Sequence, residues 1–112
     1  MRKKDICVDF DGVLNTYTSW QGEENLFEMK AGCAEFLDKL SKDYEITILT
    51  TRRADLVEHW LEKYDLQKYI KRVTNQKIPA VMYVDDRAVQ FNGNYEEVYS
   101  EITNFVHYAK RR

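Results

Sequence analysis

The stretch "CVDFDGVLNT", residues 7–16, decides how this sequence is read. Ile6, Cys7 and Val8 have the apolar character of a buried strand, and Phe10 continues it. Asp9 and Asp11 interrupt that run at the point where a strand leaves its sheet. A carboxylate taken out of water without a partner is expensive, so the pair requires solvent or a cation beside it. Gly12 lets the chain turn sharply behind the two acids.

Working outward, strands and helices alternate. Residues 5–10 form the first strand, and "AGCAEFLDKLSK" (31–42) reads as a helix with Ala34, Phe36, Leu37 and Leu40 on its buried side. "YEITILT" (44–50) is a second strand, and "ADLVEHWLEKY" (54–64) a second helix burying Leu56, Val57, Trp60, Leu61 and Tyr64. Residues 70–74 suit a short edge strand, and "AVMYVDD" (80–86) a further buried strand that again closes on two aspartates. From Tyr95 a last helix carries Tyr95, Val98, Tyr99, Ile102, Phe105, Val106 and Ala109 on one face. Such alternation implies a parallel sheet with helices on both faces, whose sites form beyond the carboxyl ends of the strands.

Whole-chain properties narrow the function. The 112 residues make one domain, 44% hydrophobic and 32% charged, an ordinary globular balance. Seventeen basic against nineteen acidic side chains give a net charge of -2, which argues against electrostatic nucleic-acid binding and leaves nucleic acid only as a substrate. Lys110, Arg111 and Arg112 read as a solvated helix end. No apolar run reaches the ~20 residues of a membrane span and no signal peptide is apparent, so a cytoplasmic, membrane-free setting is expected. Cys7 and Cys33 lack any motif and read as small buried hydrophobes. His59 and His107 read as surface residues.

If the strand ends converge, one rim receives Asp9 and Asp11, Thr50 and Thr51, and Asp85 and Asp86. That many carboxylates stay ionised together only around a cation, and an all-oxygen set suits Mg2+. An aspartate there can attack phosphorus, while a second carboxylate protonates the leaving oxygen and later activates water. Thr50 offers a hydroxyl to a phosphoryl oxygen, with Thr51 the alternative if the strand runs one residue further. Lys77, eight residues before Asp85, neutralises developing charge if "QKIPA" brings it close.

In order and spacing, "DFDGVLN", "ITILTTR", Lys77 and "YVDDRA" resemble the four motifs of the haloacid dehalogenase superfamily, across residues 5 to about 91. The resemblance implies a Rossmann-like three-layer α/β/α sandwich around a mainly parallel sheet, with the first strand between the second and the late one. It implies Asp9 as nucleophile and metal ligand, and Asp11 as acid/base with its backbone carbonyl on Mg2+. Thr50 and Lys77 become phosphoryl contacts, Asp85 a metal ligand and Asp86 its support. An aspartate at position 11 marks the superfamily's phosphatases rather than its dehalogenases. The expected activity is therefore a Mg2+-dependent phosphatase working through an aspartyl-phosphate.

The intervals between motifs leave no room for a cap domain, so a capless member with a flap at about 16–29 is expected. Tyr17, Trp20 and Phe27 of that flap either contact the leaving group or pack the flap onto the body. Gly12, Thr51, Arg52 and Trp20 are the substrate-binding candidates, and Arg52, Arg53 or Arg87 either grips an anion or pairs with surplus acids. Substrate class stays open among nucleotides, sugar phosphates, phosphoproteins and polynucleotide ends, and so does closure of the site by a homo-oligomer. Two other readings compete. A receiver-type phosphoacceptor carries its acidic pair after the first strand, not the late one. A catalytically inactive binding or regulatory module of the same fold would have been free to lose Asp9, Asp11, Lys77 or Asp85, and all four are present.

Overall fold

The computed structural model describes residues 3–105. Strand β1 (Lys4–Asp9) is followed by helix α1 (Cys33–Ser41), β2 (Tyr44–Leu49), α2 (Ala54–Lys63), a 3-10 turn (Gln67–Tyr69), β3 (Ile70–Thr74), β4 (Met82–Val84) and α3 (Tyr95–Asn104). The four strands form one sheet in the order β3-β2-β1-β4, and every pairing is parallel. As expected, β1 lies between β2 and the late strand. The result is a Rossmann-like α/β fold without a separate cap domain among the described residues.

Alternation along the strands explains where the core lies. Ile6 pairs with Ile46 and Val8 with Ile48, and all four side chains point to one face. Leu37 of α1 and Val57, Trp60 and Leu61 of α2 join them in a single apolar cluster, closed by Phe10, Leu14 and Leu66. Both crossover helices therefore cover the same face. On the opposite face Cys7 stands between Thr47 and Tyr83, and Arg72 donates to the Thr47 hydroxyl at 3.0 Å. Lys71, beside an irregularity in the β2–β3 pairing, bonds Asp5 and Glu45 at 3.4 and 2.7 Å. Cys7 and Cys33 are buried free thiols, and burial raises the pKa of both.

Three expectations need correction. Phe36 is exposed, and Cys33 is buried beside the expected Leu37, because a helix only two and a half turns long presents a narrow stripe. "AVMYVDD" supplies an edge strand of three residues, not a buried one. With β1 as its sole neighbour strand among the described residues, Val81, Met82 and Tyr83 stay 42–52% exposed. The last helix forms, and Asn94 caps it by accepting from the Glu96 and Glu97 amides at 2.9 and 3.1 Å. Its apolar stripe, however, is not buried, and Tyr95, Tyr99 and Ile102 face solvent. Val106, His107, Ala109 and the basic tail lie outside the described residues.

Candidate active site

The carboxyl ends of β1, β2 and β4 open on one cavity of about 410 Å3, lined by Asp9, Asp11, Tyr17, Trp20, Leu49, Thr50, Thr51, Asn75, Lys77, Asp85 and Arg87. Seven of the ten candidate residues singled out as catalytic, substrate-binding or metal-holding meet there: Asp9, Asp11, Trp20, Thr50, Thr51, Lys77 and Asp85. Asp86 adjoins them, since Asp9, Asp85 and Asp86 each offer a carboxylate oxygen within 4.8 Å of the others. Gly12 and Arg52 do not line the cavity.

Asp9 ends β1, half-buried, and one of its oxygens accepts from the Phe10 amide at 2.9 Å. Burial, and then the neighbouring Asp85 carboxylate, push its pKa up to about 7, against the opposing pull of that amide. Asp86 is also raised, chiefly by burial, and its Oδ1 is buried with no hydrogen-bond partner. Asp85 is exposed and turns an oxygen back to the Arg87 amide at 2.8 Å. Three crowded carboxylates, one holding an orphaned oxygen and one driven toward neutrality, form an all-oxygen donor set that fits a hard divalent cation.

Asp11 is held differently. Arg52 Nε donates to both of its oxygens at 3.0 and 2.9 Å, and Asn15 Nδ2 donates to Oδ1 at 3.0 Å. The carboxylate is thereby turned from the three-acid cluster and fixed in the wall of the cavity. Asn15, fully buried, spends all its polar capacity here. Its Oδ1 accepts from the Gly12 and Tyr17 amides, and Nδ2 also donates to the Leu26 carbonyl at 2.9 Å. Gly12 has φ 83°, the positive value that favours glycine, and its role is the turn itself.

Thr50 follows β2 directly and is buried, its Oγ1 accepting from the Arg52 amide at 3.2 Å. That leaves its hydroxyl proton to donate. Thr51 is exposed at the same rim. The segment after β3 carries Lys77 back to the cavity. Gln76 donates its amide to the Thr74 hydroxyl, the Tyr83 hydroxyl holds the Ile78 carbonyl at 2.7 Å, and Lys77 Nζ rests 4.9 Å from the Tyr83 ring centre. No ion pair joins Lys77 to a carboxylate among the described residues, so its ammonium stands ready for an anion.

The flap divides its aromatic residues. Tyr17 and Trp20 line the cavity, whereas Phe27 packs edge-on against Tyr17 and gives its carbonyl to the Trp60 indole at 2.9 Å. A bridge between Asn15 and Met29 and the burial of Leu26 tie the flap ends to the core. Sequence reading gave no role to Asn15 or Asn75, and of its two alternatives for Arg52 the structure shows pairing with an acid, Asp11. The available signal was Asn15 closing the "DFDGVLN" motif four residues after Asp11.

Comparison with known proteins adds to this geometry. The model of the NLI interacting factor-like phosphatase family matches residues 4–78, a span that includes Asp9, Asp11, Thr50 and Lys77. The solved structure of a conserved protein from Bacteroides thetaiotaomicron is similar over 92% of each chain, with a TM-score of 0.60 and 19% identity, which shows a shared fold. No curated protein matches the chain.

Proposed function

The chain belongs to the NLI interacting factor-like phosphatase family, within the haloacid dehalogenase superfamily, and from that premise we propose that it hydrolyses phosphomonoesters through a phosphorylated Asp9. The observation that carries this reading is the meeting of Asp9, Asp85 and Asp86 oxygens within 4.8 Å, in a cavity shared with Asp11, Thr50 and Lys77. Asp9, Asp85 and Asp86 would hold Mg2+, with the Asp11 carbonyl. When bound, the ion supplies positive charge that keeps these acids ionised and offsets the charge of a phosphate dianion.

The residues of the chain divide the remaining work. The free Asp9 oxygen attacks phosphorus, and the bond to the ester oxygen breaks. Asp11 gives that oxygen its proton, then takes one from the water that hydrolyses the acyl phosphate. Arg52 and Asn15 keep Asp11 oriented for both transfers. The Thr50 hydroxyl and the Lys77 ammonium stabilise the charge that gathers on the phosphoryl oxygens. Substrate reaches the site without passing a cap.

The test is Mg2+-dependent release of phosphate from a generic aryl ester. Asp9→Asn should abolish it, because an amide cannot serve as the nucleophile. Normal metal-dependent turnover by Asp9→Asn would refute the assignment.

A further inference from the structure

Arg52 and Trp20 form a unit whose outer surface has no structural use. The Arg52 side chain is only 2% exposed. Its Nε is committed to Asp11, Nη1 donates to the flap carbonyl of Glu23 at 3.2 Å, and Nη2 is buried without a hydrogen-bond partner. Besides its ion pair with Asp11, the guanidinium faces three aromatic rings. Its central carbon lies 5.1 Å from the Trp20 ring centre, 5.9 Å from Tyr17 and 6.0 Å from Phe10. Arg52 thus binds the flap to the candidate acid/base and holds the Trp20 indole from one side.

Trp20 is nevertheless 60% exposed and lines the same cavity as Asp9 and Asp11. An indole kept in water at the mouth of a catalytic cavity contributes little to the core. It offers a flat apolar surface of fixed position.

We propose that Trp20, backed by Arg52, is the leaving-group platform of this site and selects phosphomonoesters whose leaving group carries a planar aromatic ring. The proposal rests on the phosphatase reading above and adds the substrate class to it. Such a ring can come attached through a sugar, as in a nucleoside monophosphate, or directly on the ester oxygen, as in an aryl phosphate. Stacking on Trp20 would hold either one with its ester oxygen toward Asp11.

Two measurements on the full chain test this. The first is kcat/KM with Mg2+ for adenosine 5′-monophosphate, phenyl phosphate and ribose 5-phosphate, in the wild type, Trp20→Ala and Trp20→Phe. Trp20→Ala should lower kcat/KM for a ring-bearing substrate roughly ten-fold more than for ribose 5-phosphate, the scale of one aromatic stack, and Trp20→Phe should restore most of it. The ring-bearing substrate with the larger differential loss identifies the source. The second is quenching of indole fluorescence by adenosine 5′-monophosphate and phenyl phosphate without metal, which Trp20→Ala should remove, since the other indole, Trp60, is buried. Equal losses for all three substrates would overturn the platform and leave Trp20 a shaper of the flap. If none of the three is hydrolysed, the phosphatase reading fails separately. Quenching then decides alone, and its absence for both ring-bearing ligands overturns the platform.

Discussion

Residues 4–74 and residues 81–104 were built by the same alternation of strand and helix, and they stand in opposite relation to water. Every buried apolar residue among those described lies between Ile6 and Leu66. Of the nine large hydrophobic side chains left exposed among the described residues, seven lie between Val81 and Ile102. The difference comes from neighbours. Strands β1 and β2 each pair on both edges and share one face with two helices, whereas among the described residues β4 has one partner and α3 holds no buried side chain. Amphipathic periodicity shows that a segment has an apolar side; burial further requires a second surface to meet it. The candidate site draws on both regions, taking Asp9 and Asp11 from the packed one and Asp85 and Asp86 from the exposed one.

The comparison can be pressed hardest at Asp11, which the packed region holds through Arg52 and Asn15. Asp11→Asn should keep the metal site and lose acid/base help worth roughly 10²–10⁴ in rate. The loss should be smaller for aryl than for alkyl phosphates, whose leaving groups need the proton more. Turnover assays on both ester types check this, and an equal loss on the two would remove Asp11 from the proton transfer.

Stability should divide along the same line. Leu37→Ala, at a fully buried position of α1, should cost about 2–5 kcal/mol. Ile102→Ala, on the exposed stripe of α3, should fall within about 0.5 kcal/mol. Urea unfolding of the two variants measures both. Comparable losses would mean that α3 is packed in solution and would erase the contrast.

A smaller effect should appear where the two regions meet. The folded pKa of Asp9, about 7, lies above its ordinary value of 3.8, so the folded state binds the extra proton between them. The metal-free protein should therefore be most stable below pH 3.8 as far as this group is concerned, and should lose that contribution as pH rises through 7. A divalent cation binds the ionised acids, so Mg2+ should raise the Tm more at pH 8 than at pH 5. Thermal unfolding with and without Mg2+ at the two pH values tests the sign. A larger gain at pH 5 would separate the metal from Asp9.

Much of the site was legible because its chemistry sits at strand ends. Asp9, Thr50 and Asp85 follow recognisable apolar runs, and parallel strands deliver their carboxyl ends to one rim whatever the details of packing. Lys77 belongs in the cavity although its path there, steadied by the Tyr83 hydroxyl on Ile78, has no sequence signature. The fate of Arg52 was not legible. A surface arginine and a buried one look alike in sequence. The choice between gripping an anion and pairing with Asp11 depends on a flap carbonyl and three rings brought together from positions 10 to 23.

By itself, then, the sequence determined the order of elements, the parallel sheet and the acids that share its rim, because side-chain period and strand direction are local properties. Tertiary structure alone decided that Asn15 and Arg52 clamp Asp11, that Phe27 packs while Trp20 faces the cavity, and that the stripe of α3 stays in water. Each of those outcomes depends on which distant surface arrives opposite a side chain, and that is set by long-range packing.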